Sequence, residues 1–282
     1  MLSHLGFNMN FSLARQYFDR EINQPDQKID LAKAALYIAQ EEYPNLDPTE
    51  YLNALDTMAN EVQERLPTER YPLRIVQKIN EYLYDDLGLR GNTDDYYDPR
   101  NSFFNEVIDR RTGIPITLSL IYLEIAKRLA FPMVGIGMPG HFLIRPEFQE
   151  VGIFVDAFNR GEILFAQDCQ ERLTQIYQQP IPAIPPTFLE PVSNRRFLGR
   201  MLTNLKMIYL NRRELSKSLA AVERILLLFP DAPTELRDRG LLYYELGRFI
   251  EATQDLESYL TQVPQAEDAR VIRQLLSQLR KN

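Results

Sequence analysis

Apolar positions in the first hundred residues recur at the three- and four-residue spacing of amphipathic helices. Leu31, Ala34, Ala35, Ile38 and Ala39 make one stripe, and Leu52, Leu55, Met58, Ala59 and Val62 a second. Leu73, Val76, Ile79, Tyr82 and Leu83 make a third, which runs out at Gly88. Asp47 before Pro48 reads as an N-cap with proline at the first helical position. Residues 90–100 are polar and predict a loop. From 101 to 130 the pattern predicts two helices broken at Thr112-Gly113. The second starts at Pro115 and is apolar almost all round, which predicts burial. The period then shortens to that of strands over 133–138, 141–145 and 153–158, each bounded by Gly or Pro, before helical spacing returns over 166–178.

Pro180, Pro182, Pro185, Pro186 and Pro191 stiffen the next segment and remove amide donors, predicting a linker or a strap on the surface. Beyond it the chain repeats with a period of 34 residues: Tyr209 aligns with Tyr243, Leu226 with Leu260 and Pro230 with Pro264. The second copy adds Gly240, Leu246, Gly247 and Ala252 and resembles a tetratricopeptide helix–turn–helix, whereas Lys206 and Ser218 stand at the Gly240 and Ala252 positions of the first copy. A last helix over 266–281 caps the pair. Two repeats bury little by themselves, so docking on the preceding domain is expected. The organisation read from the sequence is thus a helical region with a core over 1–179, a proline-rich linker over 180–194, and two repeats with a capping helix over 195–282.

Composition narrows the functions. Lys and Arg number 32 against 39 Asp and Glu, a net charge of −7, which argues against a general nucleic-acid binder. No apolar run approaches the roughly 20 residues that span a bilayer. The N-terminus lacks an apolar core followed by a small-residue cleavage site, and a cytoplasmic protein is expected. The single cysteine, Cys169, excludes an internal disulfide and the common structural zinc sites; no metal or cofactor is expected. His4 and His141 are the two histidines.

Between Phe103 and Gly161 a buried helix is followed by a strand, then by Gly140-His141-Phe142 on one strand and Val155-Asp156-Ala157-Phe158-Asn159 on another. That order is similar to the transglutaminase-like cysteine-protease core. The runs at 110–115, 139–145 and 155–159, followed by the repeats, resemble more narrowly its SirB-type branch. The resemblance implies an α+β fold: a helix-rich transglutaminase-like core with a small antiparallel sheet, then an α-helical tetratricopeptide pair. It also implies a Cys at the amino end of the buried helix, with a His and an Asp on neighbouring strands. His141 and Asp156 stand at the latter two positions. The cysteine position falls at or next to Pro115, where Ile114, Pro115 and Ile116 offer no nucleophile.

An antiparallel pairing of 141–145 with 152–156 around a loop at 146–151 would oppose Ile144 to Ile153 and His141 to Asp156, with Cβ atoms about 5 Å apart. An imidazole and a carboxylate so placed form the base-and-orienter half of a cysteine hydrolase. The plainer alternatives are a core histidine with one hydrogen bond and an aspartate that ends its strand by bonding the turn at Asn159-Arg160-Gly161. Thr117 and Ser119 lie too far into the helix to serve readily as nucleophiles. Cys169, just inside a helix start that would favour its thiolate, is either an alternative nucleophile or a packing residue. Arg110 and Arg111 precede a helix N-terminus and either hold an anion or pair with Glu106 or Asp109. Tyr96, Tyr97, Phe103 and Phe104 are expected to pack over the domain. The candidate pocket is therefore Arg110, Arg111, Pro115, His141, Asp156 and Asn159. The leading reading is a non-catalytic protein acting through a protein partner or in regulation. The alternatives are a cysteine hydrolase or acyl transferase using Cys169 with His141 and Asp156, and a peptide adaptor working through exposed repeat faces.

Overall fold

The computed structural model describes residues 12–148 and 152–280. His4 and the N-terminal reading, and residues 149–151 of the expected loop, lie outside the described residues.

The three predicted stripes form α2 (Leu31–Gln40), α3 (Pro48–Arg65) and α4 (Pro72–Asn80), preceded by α1 (Leu13–Ile22). Asp47 caps α3, its carboxylate accepting from Thr49 N at 2.9 Å, with Pro48 in the first turn. Beyond α4 the helix widens into a π turn over Glu81–Asp86. The predicted polar loop contains a short strand, β1 (Arg90–Gly91), paired in parallel with β2 (Thr112–Gly113). β2 is the break between α5 (Phe104–Arg110) and α6 (Pro115–Arg128). α6 is buried continuously from Pro115 to Ala126, as its all-round apolar sequence requires.

Four antiparallel strands follow: β3 (Met133–Ile136), β4 (Leu143–Pro146), β5 (Phe154–Asp156) and β6 (Glu162–Leu164), in that spatial order. The expected register needs correction. Ile144 pairs with Val155 rather than Ile153, a shift of two residues. Because a strand's side chains alternate with period two, such a shift leaves the same residues facing the core, and apolar patterning cannot tell the two registers apart. Leu143 consequently stands opposite Asp156, and His141 lies two residues ahead of the start of β4. β6 is too short to be read as a strand from the sequence.

The sheet separates two apolar layers. Phe142, Ile144, Ile153 and Val155 join the main core around α6, while Leu143, Phe154 and Leu164 join a smaller cluster with Cys169 and Leu173 of α7 (Ala166–Tyr177). The proline-rich segment covers that second cluster, laying Ile181, Ile184, Phe188 and Leu189 on it. It is a strap rather than a free linker: Pro191 bridges to Ile136, and Val192 N donates to Gly135 O at 2.9 Å.

The repeats form α8 (Asn194–Asn211), α9 (Leu215–Leu228), α10 (Pro233–Glu245) and α11 (Phe249–Gln262), with α12 (Ala269–Leu279) as the cap. They dock on the preceding domain, since Phe197, Leu198, Met201, Leu202, Leu205 and Tyr209 of α8 belong to the main core. In the second repeat a Cβ on Gly240 would sit 2.8 Å from Leu256 Cγ, so that close helix contact needs glycine. The first repeat uses its lysine differently: Lys206 Nζ donates to both carboxylate oxygens of Glu235, at 2.8 and 2.9 Å, and to Asp238 at 3.0 Å, tying one repeat to the next. Among the described residues no helix is long and apolar enough to cross a membrane.

Candidate functional site

His141 and Asp156 meet at the end of the sheet. Nε2 of His141 lies 2.8 Å from Oδ2 of Asp156, reaching it diagonally across the β4–β5 pair. Phe158, in the turn after β5, meets the imidazole edge-to-face with ring centroids 6.3 Å apart. Two elements hold the histidine. Gly140, with φ +70, turns the chain into β4, and Nη2 of Arg200 on α8 donates to Met138 O at 3.1 Å and to His141 O at 2.6 Å.

Asp156 is fully buried. Oδ1 accepts from the backbone N–H groups of Phe158 (3.0 Å) and Asn159 (3.2 Å), and Oδ2 accepts from Asn159 Nδ2 at 2.9 Å as well as from the imidazole. Arg172 of α7 adds an ion pair to Oδ2 and a second to Glu162. Burial alone would raise the carboxyl, but the hydrogen bonds and charges of His141, Asn159 and Arg172 outweigh it and hold the group at about 2. The turn that follows is fixed from behind. Asn80 Nδ2 donates to Gly161 O at 2.8 Å, and the buried Tyr84 hydroxyl donates to Ala157 O at 3.0 Å.

An ionised carboxylate only accepts, so Nε2 donates the ring proton to Asp156, and a neutral ring so held has its acceptor lone pair on Nδ1. Nδ1 has no hydrogen-bond partner among the described residues, and the side chain is 13% exposed. This is the arrangement of a base held by an orienting carboxylate, ready to receive a proton or a hydrogen bond.

The other sequence candidates lie elsewhere. Pro115 is buried at the start of α6. Thr117 is spent on the backbone: its hydroxyl donates to Asn101 O at 2.7 Å and accepts from Ile114 N at 3.2 Å. Ser119 is fully buried, and its hydroxyl has no partner among the described residues. Arg110 pairs with Asp98, 3.5 Å away, rather than with Glu106 or Asp109, and Arg111 Nη1 donates to Leu87 O at 3.0 Å. Neither arginine contacts the His141–Asp156 pair in the described structure. Asn159 does join it, through both backbone and side chain.

Cys169 occupies the first turn of α7, its N–H bonded to Phe165 O at 3.1 Å. The helix start was expected to favour the thiolate. Instead, burial in the cluster of Ile136, Met138, Leu143 and Leu173 pushes the thiol up to about 11. Among the described residues no hydrogen bond joins its sulfur to His141. Phe103 and Phe104 are buried, as expected of packing residues, whereas Tyr97 is 66% exposed.

Sequence reasoning missed Arg172 and Arg200. Each reaches the site from an element far along the chain, and which face of α7 or α8 meets the sheet end is set by docking rather than by local pattern. Among the described residues no cluster of His, Cys, Asp and Glu is placed to hold a metal.

A buried helix backing an antiparallel sheet that carries a paired His and Asp, with helical repeats packed on the same core, is the framework of a transglutaminase-like protein with tetratricopeptide repeats. Comparison with known families agrees: a model described as "Transglutaminase-like superfamily" matches residues 49–203, and one described as "Tetratricopeptide repeat" matches residues 205–277. The chain belongs to the transglutaminase-like superfamily and combines it with the repeats as the SirB-type branch does. A "UPF0162 protein" of Xylella fastidiosa is 38% identical over 255 residues, which cover 88% of this chain and 89% of that one. One from Vibrio cholerae is 30% identical over 78% of this chain and 81% of its own. "F-box only protein 21" of Homo sapiens is 32% identical over 62% of this chain but only 28% of its own length.

Proposed function

We propose that this chain is a catalytically silent, cytoplasmic member of the superfamily, acting in protein–protein interaction or regulation through a retained His141–Asp156 site. The observation that carries this reading is the start of α6, where the resemblance implies a sulfur at or next to Pro115: Ile114-Pro115-Ile116 offer none, and Pro115 is buried. The placement of Cys169 supports it: the thiol lies inside an apolar layer under the strap. The sharing of Asp156 between imidazole and guanidinium supports it too, because the carboxylate's charge is already matched by Arg172 before any imidazolium forms. The human relative named for an F-box holds the similar stretch as a minor part of a longer chain, which suits a binding module.

The test is turnover. Purified full-length protein is incubated with glutamine-containing peptides and with peptide amides, and ammonia or new amino termini are measured. Release no faster than in buffer is expected. Turnover that disappears in both Cys169→Ala and His141→Ala would replace this reading with that of a cysteine hydrolase or acyl transferase.

A further inference from the structure

The proline-rich strap is hydrogen-bonded to the molecule at its two ends. At the first, Nε2 of Gln170 on α7 donates to Ile181 O at 2.7 Å and to Pro182 O at 3.2 Å, and Ile181 N donates to Thr174 Oγ1 at 3.4 Å. At the second, Val192 N bonds Gly135 O, and the Val192 side chain packs so closely that a Cβ on Gly137 would fall 2.8 Å from its Cγ1. Between these ends, among the described residues, no hydrogen bond or ion pair joins 183–190 to the rest of the chain. Its two internal bonds, Phe188 N to Pro185 O at 2.9 Å and Leu189 N to Pro186 O at 3.0 Å, close one tight turn that travels with the segment. Pro185 and Pro186 offer no amide and stiffen it.

Apolar contact alone keeps the middle of the strap down, and there is little of it. Ile184, Phe188 and Leu189 reach the second apolar cluster but are only half-buried, while Ala183, Pro185, Pro186, Thr187 and Glu190 are exposed. Nor does the strap close on α7. An open cleft of about 810 Å³ lies between Gln167, Glu171 and Thr174 on the helix and Pro182, Ala183 and Ile184 on the strap. A segment with few buried contacts and no bonds to its surroundings belongs to the low end of local stability. What it covers is the opposite: Ile136, Met138, Leu143, Cys169 and Leu173 are all fully buried beneath it.

We propose that residues 183–190 are a hinged cover that swings out between fixed ends while the sheet, α7 and the repeats stay folded, and that this opening controls access to Cys169 and the apolar face around it. The inference goes beyond the reading of the His141–Asp156 site and does not depend on it. It also gives the prolines a part to play, since a stiff piece lifts and returns as one body where a flexible loop would melt.

The experiment uses the full-length protein and an aromatic disulfide reagent, for which Cys169 is the single thiol. Labelling rates are measured at pH 8 in urea below the unfolding transition, where they rise in proportion to reagent. Local opening exposes little surface, so the rate is expected to be almost flat with urea until global unfolding takes over. Ile184→Ala, which removes a contact of the cover, should speed labelling about tenfold. Val62→Ala in the main core lowers the urea midpoint but is equally placed in the closed and open forms, so it should leave the rate in water unchanged. The Val192 amide, at the fixed end, should be protected from exchange far more strongly than the thiol is from reagent. A rate that climbs with urea as steeply as unfolding does, acceleration by Val62→Ala, no acceleration by Ile184→Ala, or equal protection of thiol and Val192 amide would each overturn the proposal.

Discussion

Asp156 is where the chemistry of the site concentrates, and its environment gives it a measurable signature. Its carboxyl titrates at about 2 in the fold against 3.8 ordinarily, so it contributes stability that is present above about pH 4 and lost as pH falls from there towards 2. Asp156→Ala should destabilise the protein by about 3 kcal/mol, because it leaves Arg172 and His141 without their buried partner. Urea titrations at pH 7 and pH 3 check both points, with the difference between wild type and variant expected to shrink at the lower pH. Cys169 shifts the opposite way. With its thiol at about 11, a disulfide reagent at pH 8 should label the native protein slowly and the urea-unfolded protein at once. At this scale the sequence was informative where a motif carried the residue: the His141 and Asp156 segments announced themselves together. Arg172 did not, because nothing local distinguishes it from the other polar residues of its helix, and only the packing of that helix on the sheet end brings it to the carboxylate.

Periodicity located most elements, because burial on one face writes itself into spacing. It failed where spacing carries no information. The β4–β5 register is degenerate under a two-residue shift, and β1, β2 and β6 are only two or three residues long, too short to show any period. The turn between β5 and β6 holds the clearest element-scale constraint. Gly161 has φ +70, and a Cβ there would fall 2.1 Å from Asn80 Oδ1. Gly161→Ala should therefore cost about 3 kcal/mol through backbone strain and loss of the Asn80 contact, and should loosen the turn that presents Asp156. Thermal unfolding checks the first effect, and amide exchange at Phe158 and Asn159 the second. In the repeats, Lys206 shows how a departure from the small-residue pattern is accommodated: its ammonium extends to Glu235 and Asp238 rather than crowding the helix contact.

For the whole molecule, the sequence sets the repeats in a segment of their own and expects them to dock, and the packing joins them to the rest. α8 supplies much of the apolar wall against the preceding domain, and Arg224 of α9 and Arg15 of α1 converge on Glu41, the residue just past α2. A chain ending at residue 193 should thus expose that wall and fail to give a cooperative unfolding transition, whereas the full chain unfolds cooperatively; calorimetry of the two checks this. The docking bears on function as well. Tyr209, which a free-standing repeat would offer to a peptide, is only 4% exposed and sits in the main core, so an adaptor role through the first repeat has little surface to work with. The retained His141–Asp156 pair without a sulfur in partnership is the centre of the account, and the mass of the intact protein after exposure to an activated acyl ester tests it most directly. No acyl adduct on Cys169 above that formed in the His141→Ala variant is expected; an adduct on Cys169 that requires His141 would contradict it.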